Sequence, residues 1–238
     1  METDYVDVIS QIKNVLSLSP HRRILVAVAG PPGSGKTTIA THIVESLNKA
    51  VSQPGGNEKE SPPSFAISIS VDGFHYTRKQ LDALPNRDEA YFRRGAPWTF
   101  DVDGIVKLVT SLHDSAAMPI SARNVVKAPS FDHALKDPVE YDIQIGAGIN
   151  IIILEGNYLL LDMEKWREIS ELVDVRVFVD VNVDCARNRV ARRHVAAGIE
   201  DAYQKGLMRF DGNDALNGDI IRKNLVRYDV RVESFDTR

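Results

Sequence analysis

Apolar residues recur along this chain with two periods, and the alternation between them predicts a parallel sheet wrapped by helices. Val8, Ile12, Val15 and Leu16 fall three or four residues apart ahead of Pro20, which predicts an amphipathic N-terminal helix within residues 1–20. The unbroken run Ile24-Leu25-Val26-Ala27-Val28-Ala29 reads as a strand buried on both faces. Helical spacing returns at Ile39, Ile43, Val44 and Leu47. Residues 52–63 are polar and punctuated by Pro54, Gly55, Gly56, Pro62 and Pro63, so a mobile surface loop is expected there. Further strands are expected at residues 65–71, at 150–154 as a buried central strand, at 175–179 and near 230–232.

Strands separated by helical stretches imply an α/β fold with helices on both faces of the sheet, where ligands gather at the carboxyl ends of the strands. That rule selects two acids, Asp72 after Val71 and Glu155 after Leu154. It also selects the run that follows the first strand: Gly30, Pro31, Pro32, Gly33, Ser34, Gly35, Lys36, Thr37 and Thr38. A strand, then glycines, then Lys-Thr opening a helix is the order of a phosphate-cradling P-loop, so the fold is expected to be of the P-loop NTPase type. The chemistry explains the residue types. Backbone amides must point inward at phosphate oxygens, and Gly33 and Gly35 leave room for that approach. Lys36 reaches the outer phosphates as a point charge, Thr37 offers a hydroxyl to Mg²⁺, and the helix start aims its positive end at the anion.

An acid directly after a hydrophobic strand is the arrangement by which P-loop proteins hold Mg²⁺, which assigns Glu155 to the metal beside Thr37. Asp72 is the second acid for the metal and the candidate base. A kinase must orient an acceptor hydroxyl toward the terminal phosphate and take its proton, and a carboxylate near the metal does both.

Composition narrows the partners. With 238 residues, 43% of them hydrophobic, the chain is expected to form a single domain over 1–238 with a substantial core. A net charge of -4 and an isoelectric point near 5.9 give no general attraction to nucleic acid. No apolar run approaches the ~20 residues that span a bilayer, and the N-terminus lacks a signal-peptide pattern, so a cytoplasmic protein with no membrane partner is expected. The single cysteine, Cys185, makes no intramolecular disulfide and sits in no metal-ligand spacing.

Five blocks of residues carry a resemblance: Gly30 to Thr37, Val71-Asp72-Gly73-Phe74-His75, Arg93-Arg94-Gly95-Ala96-Pro97-Trp98-Thr99-Phe100-Asp101, Pro129-Ser130-Phe131-Asp132-His133 and Leu154-Glu155-Gly156-Asn157-Tyr158-Leu159-Leu160. Together they resemble the phosphoribulokinase/uridine kinase family over residues 22–224. They are most similar to its pantothenate-kinase-like and fructose-transport-associated branch, which includes fungal uridine-kinase-like proteins. The resemblance implies ATP- and Mg²⁺-dependent phosphorylation of a hydroxyl on a small metabolite, a nucleoside, sugar or pantothenate-like acceptor. It places Asp72 as the catalytic base, with Glu155 and Thr37 at the metal.

The resemblance also implies a helical lid over residues 184–205 whose arginines close on the phosphates. Arg189 and Arg193 are four residues apart, hence on one helix face, where two cations can meet one triphosphate. Arg93 and Arg94 fall in the segment that covers the substrate, and His75 and Tyr158 are candidates through their nearness to Asp72 and Glu155. Asn213-Asp214 and Asn217-Gly218 resemble a segment near the nucleotide base. The chain departs from uridine kinases where these hold the pyrimidine with aromatic residues: Phe131, His133 and Lys136 stand there instead, and His133 suits a sugar or a carboxylate-bearing acceptor better than a base. The alternative function is a P-loop ATPase or switch acting on a protein partner. The Asn-Lys-x-Asp guanine signature of a GTPase is missing, since Asn48-Lys49 lacks the aspartate.

Overall fold

Side chains that alternate along a strand go to opposite faces of its sheet, and here both faces are covered. The computed structural model of the protein describes residues 4–19, 22–51 and 65–235; the loop expected over 52–63 lies outside them. Among the described residues the strands are β1 (Ile24–Ala29), β2 (Ala66–Ser70), β3 (Val126–Asp132), β4 (Asp137–Ile145), β5 (Ile151–Gly156), β6 (Val175–Val181) and β7 (Val230–Ser234). The α-helices are α1 (Asp4–Leu18), α2 (Lys36–Val51), α3 (Arg78–Asp82), α4 (Arg87–Phe92), α5 (Val102–Asp114), α6 (Trp166–Leu172), α7 (Val183–Ala196), α8 (Tyr203–Arg209) and α9 (Ala215–Lys223). The main sheet runs β2-β5-β1-β6-β7 with every neighbouring pair parallel.

Ile24, Val26 and Val28 of β1 face a core completed by Val8 and Ile12 of α1 and Ile39, Ile43 and Leu47 of α2. Leu25, Ala27 and Ala29 face the opposite core, with Ile105, Leu108 and Leu112 of α5 and Trp166 and Ile169 of α6. Each fully buried aliphatic side chain of this kind contributes about 1.5–3 kcal/mol, so the two layers fix the sheet between them. The register then sets the chemistry: Glu155 on β5 lies opposite Val28 of β1 on one side and Ser70 of β2 on the other. The P-loop, Glu155 and Asp72 therefore leave the sheet along one edge.

The strand expected over 65–71 is shorter at both ends. Asn48 near the end of α2 accepts from the Phe65 and Ala66 amides at 2.9 and 2.8 Å, which pins the chain before β2 begins. Past Ser70 the backbone turns into a 3₁₀ segment, Val71–Phe74, because the Ser70 hydroxyl accepts from the Asp72 amide at 3.3 Å.

The β3–β4 hairpin has no counterpart in the sequence reading. Its second strand carries Glu140, Tyr141 and Asp142 consecutively exposed, so the alternation that marks a strand is missing. The hairpin sits against the 3₁₀ segment so closely that a Cβ on Gly73 would lie 2.4 Å from the Pro129 carbonyl oxygen. Gly73→Ala is accordingly expected to cost about 1–3 kcal/mol of stability, through a forced shift of backbone against backbone. Thermal denaturation checks this, and an unchanged Tm would mean that the hairpin is not seated on Gly73.

Candidate active site

Of the residues the strand-end rule selected, Pro32, Lys36, Thr37, Asp72 and Glu155 line one cavity of about 550 Å³. Its floor is the P-loop. Gly33 and Gly35 adopt positive φ of 80° and 85°, and a Cβ on Gly30 would meet the Val179 carbonyl oxygen at 2.2 Å, so these positions require glycine. Lys36 opens α2, buried, with its ammonium donating to Asn157 Oδ1 at 2.8 Å and to the Pro31 carbonyl at 3.4 Å. The Thr37 hydroxyl donates to Glu155 Oε1 at 3.2 Å. Ser34 Oγ is buried without a partner.

Burial pulls the Lys36 ammonium below its ordinary pKa, with Glu155 and Asp72 opposing. Burial pushes the Glu155 carboxyl up, Lys36 opposing and Asp72 adding to the rise. Each group holds its charge at a cost that an anion beside Lys36 and a cation beside Glu155 would relieve. Asp72, by contrast, keeps its side chain 46% exposed at the mouth of the cavity.

One wall comes from the 3₁₀ segment, α3, α4 and the hairpin. His75 Nδ1 lies 2.7 Å from the Asp72 carbonyl, which fixes the ring as the Nδ1–H tautomer, and the ring packs on Phe100 and Phe131. Burial lowers its pKa, so the ring stays neutral at pH 7. The Arg94 guanidinium lies 5.6 Å over Phe131 and donates to the Lys136 and Tyr76 carbonyls and to Asp137, which also binds Arg78. His133 stacks edge-on to Phe131 and lines the same wall with Lys136.

The facing wall comes from α7, α8, a π-helical turn at Phe210–Asp214, and α9. It presents Arg193, whose side chain has no hydrogen-bond or ion-pair partner among the described residues, together with His194, Arg209, Asn213, Asp214 and Asn217. His194 Nε2 stands 3.7 Å from Asp214 Oδ2. Burial pulls His194 down to about 4 and pushes Asp214 up to about 6, the latter against the attraction of Arg193 and Arg209. Asn213 and Asp214, which resemble a segment near the nucleotide base, line the main cavity together with His75, Arg94 and Phe131.

Three residues expected at the site are placed differently. Arg93 lies outside the cavity lining and donates to Asn217 Oδ1 at 3.0 Å and the Gly212 carbonyl at 3.5 Å, so it braces the facing wall. Tyr158 is buried in the core against Phe100 and Trp166, and its hydroxyl donates to the Gly95 carbonyl at 2.6 Å. Arg189 does not join Arg193. It donates to the Gly33 carbonyl and Ser234 Oγ at 3.1 and 2.8 Å and lines a separate cavity of about 210 Å³ with Gly35, Thr38 and Val232. The sequence reading in turn missed Asn157, Arg78, His194 and Arg209. Asn157 stands in the Glu-Gly-Asn block, two residues past Glu155, and that spacing was the available signal.

The raised Asp214 carboxyl sets a pH dependence. Its unfolded value is 3.8 and its folded value about 6, so the folded chain binds the extra proton between them, and stability present below pH 3.8 is lost as pH rises through 6. Asp214→Asn cannot ionise. Its stability advantage over the parent is expected to be small near pH 4, to grow to about 1–3 kcal/mol by pH 7, and to stay level to pH 8. Melting curves across that range check the sign.

A model of the Phosphoribulokinase / Uridine kinase family matches residues 25–205. A Schizosaccharomyces pombe protein named Putative uridine kinase C227.14 is 36% identical over 216 residues, covering 90% of this chain and 84% of that protein. ATP-dependent kinase YFH7 of Zygosaccharomyces rouxii is 33% identical over 71% of this chain, which spans about half, 51%, of that longer relative. Among solved structures, YFH7 from Saccharomyces cerevisiae superposes with a TM-score of 0.83 at 22% identity, covering 99% of this chain and 100% of that one, and this likeness shows the fold.

Proposed function

Because this chain belongs to the phosphoribulokinase/uridine kinase family of P-loop kinases, we propose that it works as one domain, transferring the terminal phosphate of ATP to a hydroxyl group of a small metabolite. One observation carries the reading: Lys36, Thr37, Asp72 and Glu155 line a single cavity where the central strands end. The amides around Gly33 and Gly35 receive phosphate oxygens, and Lys36 neutralises the outer phosphate. Thr37, Glu155 and Asp72 are the all-oxygen set that would hold Mg²⁺, which when bound neutralises charge on the phosphates. No group of three His, Cys, Asp or Glu side chains gathers closely enough to hold a metal among the described residues. A set of one hydroxyl and two carboxylates therefore fits an ion that is shared with a phosphate.

Asp72, half exposed beside His75, takes the proton of the acceptor hydroxyl as the new O–P bond forms and the bond to the departing ADP oxygen breaks. Positioning and charge neutralisation supply most of the rate, since this reaction asks little covalent help of the protein. The smaller cavity beside Gly35 and Thr38 takes the nucleoside end, with Arg189, held by the Gly33 carbonyl and Ser234 Oγ, in its lining. Arg193, on the cavity side, serves the transferring phosphate. A cytoplasmic location belongs to the same reading; no described helix is long and apolar enough to cross a membrane.

A coupled ADP assay across nucleosides, sugars and pantothenate tests the function: ADP should form only with an acceptor present. Acceptor-independent hydrolysis accelerated by a protein would instead favour a switch. Asp72→Asn is expected to lower kcat by about 10²–10⁴ while ATP still binds, whereas Lys36→Ala should abolish turnover. Full turnover in Asp72→Asn would remove Asp72 from the role of base. The separation of the two arginines predicts a split in steady-state kinetics. Arg189→Ala should act mainly on KM for ATP, and Arg193→Ala mainly on kcat, each by about tenfold or more.

A further inference from the structure

Helix α1 closes the core beneath it with Val8 and Ile12, both fully buried, and packs along α2 and β7. One turn before Val8 the packing opens into the smaller cavity of about 210 Å³, lined there by Tyr5 of α1, His42 of α2 and Val232 of β7. Gly35 and Thr38 line it as well, so the hollow adjoins the phosphate loop. Close-packed proteins keep few such spaces, and one held open beside a P-loop is a place for a ligand.

The Tyr5 and His42 rings are stacked, with centroids 5.9 Å apart and planes 30° from parallel. Paired rings attract at centroid distances of about 4.5–7 Å, so no third ring fits between these two, and they form one continuous aromatic wall. Tyr5 rests half-buried against the core and His42 is exposed, so the wall is open to a molecule arriving from solvent. Helix α1 and strand β7 both fall outside residues 25–205, the part that the family model matches, so two of the elements around this hollow are not drawn from that shared segment.

The lining selects the ligand. Tyr5, Ile39 and Val232 offer apolar surface, and the charged side chains beside it are opposite in sign and already engaged. Arg189 donates to the Gly33 carbonyl and Ser234 Oγ, and Glu233 pairs with Arg231 at 3.2 Å. A free anion would face Glu233 and a free cation would face Arg189. A flat uncharged ring avoids both conflicts and gains the aromatic wall. The base of a nucleotide whose phosphates lie in the glycine loop is such a ring.

We propose that Tyr5 and His42 form the platform on which the base of the nucleotide stacks, so that α1, a helix preceding the first strand, completes the nucleotide site. The inference rests on the reading of this cavity as the place of the nucleoside end, and it names the side chains that grip the base. Tyr5 thereby distinguishes a triphosphate that carries a base from one that does not.

Calorimetry on the full chain with Mg²⁺ compares ATP, GTP and inorganic tripolyphosphate, which has the phosphates and no base. The parent should bind ATP more tightly than tripolyphosphate. Tyr5→Ala and Tyr5→Leu should each weaken ATP and GTP by about tenfold or more, since stacking reads the face of a base and not its edge, and leave tripolyphosphate unchanged. Tyr5→Phe should keep the parent's affinity. Leucine fills space without a π face, so loss in Tyr5→Leu with retention in Tyr5→Phe separates stacking from support of α1. Tyr5→Trp adds a reporter whose fluorescence, above that of Trp98 and Trp166, should be quenched by ATP and not by tripolyphosphate.

The platform is overturned if tripolyphosphate binds the parent as tightly as ATP, or if Tyr5→Leu binds ATP like the parent. It is overturned equally if the Tyr5 variants lose ATP and tripolyphosphate together, the mark of a structural role. Each of these results leaves the P-loop reading in place, because the parent still binds the phosphates. A parent that binds neither ATP nor tripolyphosphate brings down the nucleotide reading together with the platform.

Discussion

A lysine and a glutamate are buried side by side at the carboxyl edge of the sheet, and neither is at ease there. Burial draws Lys36 down and pushes Glu155 up, and each is the main Coulombic support of the other. Removing either would leave the other charge largely buried and without its main Coulombic support. The pair stands where it does because β5 lies between β1 and β2 in parallel register, so the start of α2 and the end of β5 are forced into contact. The surrounding geometry follows from that placement: Thr37 bonds to the acid, Asn157 bonds to the ammonium, and Asp72 arrives from the neighbouring strand.

The opposite edge of the same sheet shows what a charge buried for stability looks like. Arg23, immediately before β1, is fully buried, yet its guanidinium donates to the Ile149 and Gly146 carbonyls and to Ser115 Oγ at 3.0–3.1 Å. Its hydrogen bonds tie β1 to the loop before β5 and to the end of α5. At the carboxyl side of the sheet, by contrast, buried polar atoms of Ser34, Arg94, His194, Asn213 and Asp214 have no hydrogen-bond partner among the described residues. Arg23 thus satisfies its charge internally, whereas the cavity lies at the carboxyl ends of the strands, as expected of a parallel α/β sheet.

How much of this could be read from the chain depended on whether the signal was local. The P-loop, the five strands of the main sheet and the two strand-end acids are written in consecutive residues, through apolar runs and glycine spacing, and the structure has them where those runs end. The hairpin was invisible because a strand seated on a 3₁₀ turn, with three exposed residues in a row, has no apolar alternation to display. Tyr158 and Arg93 sat close in sequence to residues of the cavity, but proximity along a chain does not fix direction. Tyr158 points into the core formed with Phe100 and Trp166, and Arg93 turns to Asn217.

The two arginines of α7 make the same point about helices. Spacing of four residues puts Arg189 and Arg193 on one face, as expected, but a long side chain can travel several ångströms along or around that face before it finds a partner. Arg189 finds the Gly33 carbonyl and Ser234 behind the P-loop, whereas Arg193 extends into the main cavity beside Asp214. The glycine loop therefore has a cation on each side of it, one next to the small cavity and one next to the large.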